Sequence, residues 1–174
     1  MSPRPALPLR LEYALLGLIR RKPAHGYQLL QQWSIPQGLD IIWHIRPGRL
    51  YAALEKLKNL GYFESKLMPG DNSPERRQYS ITPSGEQAFM RWMRTPVSAA
   101  RDFRQEFLAK LYFSHDVDAH VFSELVNLQK LAAQSWLTGH QASLSKQTGF
   151  VRLVTSYRLH QVQSMLDWLG DLQA

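Results

Sequence analysis

Pro47-Gly48-Arg49-Leu50-Tyr51-Ala52-Ala53-Leu54-Glu55-Lys56-Leu57-Lys58-Asn59-Leu60-Gly61-Tyr62-Phe63-Glu64-Ser65-Lys66-Leu67-Met68, with the turn Pro69-Gly70-Asp71-Asn72-Ser73-Pro74 and the closing run Glu75-Arg76-Arg77-Gln78-Tyr79-Ser80-Ile81-Thr82, decides how this chain is read. Leu50, Leu54, Leu57 and Leu60 recur at helical spacing and form one apolar stripe. Arg49, Ala52, Glu55, Lys56 and Asn59 fall on the opposite face. Pro47 suits a first helical turn and Gly61 suits the position just past a helix end. Two short strands should follow, Tyr62 to Met68 and Glu75 to Ile81, around a turn rich in Pro, Gly, Asp and Asn. A helix that hides leucines and shows small and basic residues fits a DNA major groove. The hairpin behind it would bring Arg76 and Arg77 to the flanking backbone. Helix plus hairpin make a winged helix.

Charge supports the same reading. The 174 residues carry a net charge of +7. Residues 1–95 hold fourteen Lys or Arg against seven Asp or Glu, and residues 96–174 hold seven against seven. The whole excess lies in the half with the helix and hairpin, which points to nucleic acid. With 44% hydrophobic residues the chain can bury a sizeable core. It has no cysteine, hence no disulfide frame and no thiolate metal site. No stretch resembles a secretory leader or a membrane span, so a soluble, cytoplasmic protein without membrane contact is expected.

Outward from the central stretch, residues 1–8 form a proline-punctuated arm containing Arg4. Leu9 to Lys22 should be a helix buried through Leu11, Leu15, Leu18 and Ile19. Ala24 to Tyr27 should open a second helix through Trp33, with His25 capping or hydrogen-bonding the turn. Leu39 to Ile45 reads as a brief strand or an extended lead-in. Thr82 and Pro83 should start a fourth helix, with Thr82 as its N-cap. The boundary is expected at residues 95/96, between a DNA-binding domain (1–95) and a helical dimerisation domain (96–174). In the latter, a short helix from Asp102 to Phe113 should precede a long one capped by Asp116 or Asp118. A last helix, Phe150 to Leu172, is apolar over more than one stripe, and a hairpin of two helices cannot cover it. The surplus face suggests a second copy of the chain.

For the helix, the candidate DNA-binding residues are Arg46, Arg49, Tyr51 and Lys56. For the wing they are Arg76 and Arg77. Arginine can bond a guanine edge through two parallel N–H groups, whereas Lys56 suits a phosphate. Tyr51 could instead be a half-packed residue that offers only its hydroxyl. Trp33, Trp43, Trp92 and Trp136, with Tyr157, could line an apolar effector cavity, although an ordinary core aromatic is the commoner role for each. No enzymatic motif is present: there is no phosphate loop, no dinucleotide glycine pattern and no serine elbow. The six histidines show no metal spacing, so no cofactor or metal is expected.

The chain resembles the PadR family of bacterial transcription regulators. The resemblance lies in His25-Gly26-Tyr27, in Pro47-Gly48-Arg49-Leu50-Tyr51 with Leu54, Leu57 and Gly61, and in Arg76, Arg77, Tyr79, Thr82 and Gly85. Asp102 to Leu111 looks like the opening of the helical C-terminal domain in that family's longer branch. The resemblance implies a mainly α-helical homodimer with an N-terminal winged helix-turn-helix domain. It also implies a regulator, often a repressor, on double-stranded DNA, commonly released by a small aromatic effector. The alternative is an aromatic-ligand sensor with an activating or constitutive role. At Arg49 the family often has a small hydroxyl residue, so this chain adds a candidate base contact there.

Overall fold

In the computed structural model, residues 10–68 and 76–172 are described. The arm with Arg4 and the turn Pro69 to Pro74 lie outside them. The described chain divides into two compact units. One holds the described residues up to Trp92 together with Leu108–Phe113; the other holds Met93–Phe107 and those from Ser114 onward. The fold is mainly helical with a small antiparallel sheet.

The first unit is a winged helix. Helix α1 (Arg10–Arg21) buries Leu11, Leu15, Leu18 and Ile19, as its spacing predicts, and packs on α2 (Gly26–Trp33) and α3 (Pro47–Asn59). Strand β2 (Phe63–Met68) pairs with β3 (Arg76–Ile81) to form the wing, Phe63 opposite Ile81 and Met68 opposite Arg76. The opening of the second helix differs from expectation. Ala24–His25 is a short strand, β1, pairing with Tyr79 and Gln78 of β3, and only then does α2 begin. His25 caps that helix: its Nδ1 accepts from the Gln28 N–H at 3.3 Å, and its own N–H donates to Gln28 Oε1 at 3.2 Å. Leu39–Ile41 is one turn of 3-10 helix in place of the expected strand, and residues 43–46 then lead into α3 without regular structure.

Helix α3 begins at Pro47 and buries Leu50, Ala53, Leu54 and Leu57. Leu60 leaves the expected stripe. It is the C-cap residue and is exposed, because the chain reverses at once through Gly61 at φ 67°. Thr82 ties this reversal to α4 (Pro83–Met93). Its hydroxyl donates to the Gly61 carbonyl at 2.7 Å and accepts from the Gly85 N–H at 3.1 Å, the N-cap role expected of it.

The helix from Ala100 to Val117 runs as α5 (Ala100–Asp102), a π turn over Phe103–Phe107 and α6 (Leu108–Val117). The sequence reading put all of it in the second domain, yet Leu108–Phe113 packs with the first unit. The reason is aromatic: Phe113 meets the Phe89 ring edge-on at 5.6 Å, and Lys110 Nζ lies 5.2 Å from the Trp92 ring. In the second unit α7 (Ala119–Leu144), capped by Asp118, and α8 (Gly149–Asp171) form a helical hairpin around Ala133, Leu137 and Val162. No helix among the described residues is long and apolar enough to cross a membrane.

Candidate nucleic-acid interface

The outward face of α3 carries Arg46 as N-cap, then Arg49, Tyr51, Ala52, Glu55 and Lys56, all exposed. Burial of the leucine stripe fixes the rotation of the helix and so presents this face to solvent. Arg46 and Arg49 form no ion pair among the described residues, and neither do Arg76 and Arg77 of β3, which are exposed beside it. Guanidinium groups without carboxylate partners are available to an anionic ligand.

Between the start of α2, α3 and β3 lies a notch of about 430 Å³, lined by His25, Gly26, Tyr27, Tyr51, Arg76, Arg77 and Tyr79. It brings two guanidinium groups and three phenols together, and none of its described lining residues is acidic. Tyr51 is half exposed and its ring lies against Gly26. A β-carbon there would stand 2.7 Å from the ring and 3.1 Å from the hydroxyl oxygen. A larger residue at 26 would push the Tyr51 ring aside, so the glycine lets Tyr51 close the notch as it does. Burial and the neighbouring Tyr51 raise the pKa of Tyr79 above its usual 10.0, with Glu55 adding to the rise and Arg77 opposing it. Its phenol therefore stays neutral and can donate a hydrogen bond at physiological pH.

Sequence reasoning singled out Arg46, Arg49, Tyr51, Arg76 and Arg77 as candidates, and the structure brings Tyr51 and both wing arginines into one notch. It missed Tyr27 and Tyr79 as members of that notch, and placed His25 only as a cap. The signal was weak, because β1 is just two residues long and its pairing with β3 leaves no periodicity to detect. Lys56 has another task. Its Nζ donates to Glu12 Oε1 at 2.9 Å, and the Glu12 side chain is only 3% exposed. The lysine neutralises a buried carboxylate, so unlike Arg46 and Arg49 it stands paired on this face.

The tryptophans divide by use. Trp33 is fully buried, and its indole N–H donates to the Trp43 carbonyl at 2.7 Å. Trp43 packs edge-on against it, and Trp92 is buried against Tyr13. Trp136 belongs to the second unit, where it is half-buried beside an open hollow. Among the described residues there is no group of three or more His, Asp or Glu placed to hold a metal ion.

Residues 15–91 match the Transcriptional regulator PadR-like family. The matched segment spans less than half of the chain. It contains the winged helix and the notch. The chain is 26% identical over 136 residues to the negative transcriptional regulator PadR of Bacillus subtilis, covering 78% of this chain and 74% of that protein. A probable transcriptional regulator of Mycobacterium tuberculosis is 22% identical over 96 residues, 55% of this chain and 50% of the relative. Among solved structures, Bacillus subtilis PadR in complex with operator DNA matches with a TM-score of 0.48 at 24% identity, covering 93% of this chain and 96% of that one.

Proposed function

We propose that this protein is a sequence-specific regulator of transcription that binds double-stranded DNA as a two-fold homodimer, acting as a repressor on a palindromic operator. The observation that carries the reading is the joint exposure of α3 and the wing. Arg46 and Arg49 stand without carboxylate partners at the start of a helix shaped for a major groove, next to a notch that offers Arg76, Arg77, Tyr51 and Tyr79 to a phosphate. The similarity to a negative regulator supports repression, since that relative is named for it. A single winged helix offers few contacts, whereas two copies would address half-sites about one turn, ~34 Å, apart. Release by a small aromatic effector completes the proposal.

The test is a mobility shift on promoter fragments at several salt concentrations. With roughly three or four phosphate contacts per protomer, log affinity against log salt should slope near −5 to −7. A flat salt dependence, or equal binding to every fragment, would defeat the proposal.

A further inference from the structure

The second unit holds a hollow of about 460 Å³ that plays no part in the DNA-binding reading. Ser98 comes to it from the segment before α5 and Arg101 from α5 itself, Trp136 and His140 from α7, and Arg158 and Gln161 from α8. Trp136 and His140 are four residues apart and Arg158 and Gln161 three, so each pair presents one helical face. None of the described lining residues is acidic. Arg158 makes no hydrogen bond or ion pair among the described residues. The Arg101 Nε is 3.9 Å from Asp102 Oδ1, the outer limit of an ion pair, and the arginine side chain is 83% exposed. The surrounding sequence adds to the bias. From Leu125 to Leu166 there is no Asp or Glu, while Lys130, Lys146, Arg152 and Arg158 all lie in that span.

Trp136 gives the hollow a flat wall. Its indole packs on the core cluster of Ala133, Leu137 and Val162, which fixes the ring while leaving it half-buried. Two guanidinium groups on separate helices call for two negative groups on one ligand, each met by paired N–H donors. An indole face calls for a flat body between them. His140 and Gln161 supply further polar contacts, and the volume falls within the range of small-molecule sites. The geometry points to a binding site for a small, flat organic dianion, formed by one chain within the helical unit. A cation is repelled there, and a monoanion leaves one guanidinium unmatched.

Isothermal titration of the full-length protein with isophthalate, benzoate, isophthalamide and inorganic phosphate tests this without any DNA. Isophthalate should bind saturably, at least about tenfold more tightly than benzoate, phosphate or the neutral amide. Arg101→Gln and Arg158→Gln should each reduce its affinity to the benzoate level, and Trp136→Leu should bring it down to that of phosphate. Thermal melting confirms that each variant is folded. Where Trp136→Leu does not fold, Trp136→Phe replaces it and should retain most of the affinity, because a ring remains. The site is overturned if isophthalate does not bind, if benzoate or the amide binds as tightly, or if folded arginine variants bind as the parent does. Failure here leaves the mobility shift of the DNA-binding proposal unaffected, so the two readings fall separately.

Discussion

Arg49 and Arg77 should separate reading from holding. Arg49 projects from the first turn of α3 and forms no ion pair among the described residues. A bidentate arginine–guanine contact is lost on truncation, so Arg49→Ala should cost about 1–3 kcal/mol on the operator and relax one base position. Arg77 lines the notch beside Tyr51 and Tyr79, to which the proposed function assigns a phosphate. Arg77→Ala should weaken all sequences alike and lower the salt slope by about one per protomer. Anisotropy titrations on operator and scrambled DNA distinguish the two patterns. Tyr79 makes a further prediction at this scale. Its folded pKa lies above 10.0, so the neutral phenol favours the fold fully below that pH, and the contribution is lost as pH rises through the raised value. Tyr79→Phe should therefore show a shallower fall in denaturant stability on the alkaline side than the parent protein. An identical fall in both would mean that Tyr79 ionises freely. Of these residues the arginines could be read from sequence, because charge on the face opposite a leucine stripe is a pattern. Tyr79 could not, because its environment depends on Tyr51 across the sheet–helix contact.

At the scale of elements, α3 is anchored by more than its leucines. Glu12 of α1 is buried and its partner is Lys56 of α3, at 2.9 Å. Removing the lysine leaves a buried carboxylate without its counter-ion, whereas neutralising the acid leaves only an exposed amine. Lys56→Met should destabilise the protein by about 1–3 kcal/mol and Glu12→Gln by less, with the double variant recovering part of the loss. Chemical denaturation of the four proteins completes the cycle, and additive losses would show that the pair is not coupled. Any fall in DNA affinity of Lys56→Met should then follow its loss of stability, not a lost phosphate contact. The sequence showed the helices and wing strands of this unit to within a few residues, because periodicity and the Pro47, Gly61 and Thr82 signals are local. It did not show β1, the Glu12–Lys56 pair or the packing of Leu108–Phe113 on the first unit. Each joins residues far apart in the chain or lacks a repeat long enough to have a period.

For the whole molecule, the open question is what covers α8. Its inner side is buried at Thr155, Val162 and Leu169, yet Phe150, Leu153 and Tyr157 are 78%, 68% and 66% exposed. These three follow helical spacing on the side away from the buried set, so they form a stripe and not scattered apolar residues. The proposed dimer accounts for such a stripe, since a second copy presents the same surface and a two-fold contact is self-complementary. Charge opposes it little, because residues 96–174 are balanced at seven of each sign. The double variant Leu153→Glu with Tyr157→Glu puts like charges on both sides of that contact without touching the hairpin core. It should keep the helical signal and melting cooperativity of the parent while sedimenting as a monomer. Operator affinity should then fall by about a hundredfold or more, because the second half-site no longer binds at high effective concentration. Affinity for one isolated half-site should be unchanged. If the variant still sediments as a dimer, the stripe is not the interface; if the monomer binds operator as tightly as the parent, DNA recognition does not depend on pairing.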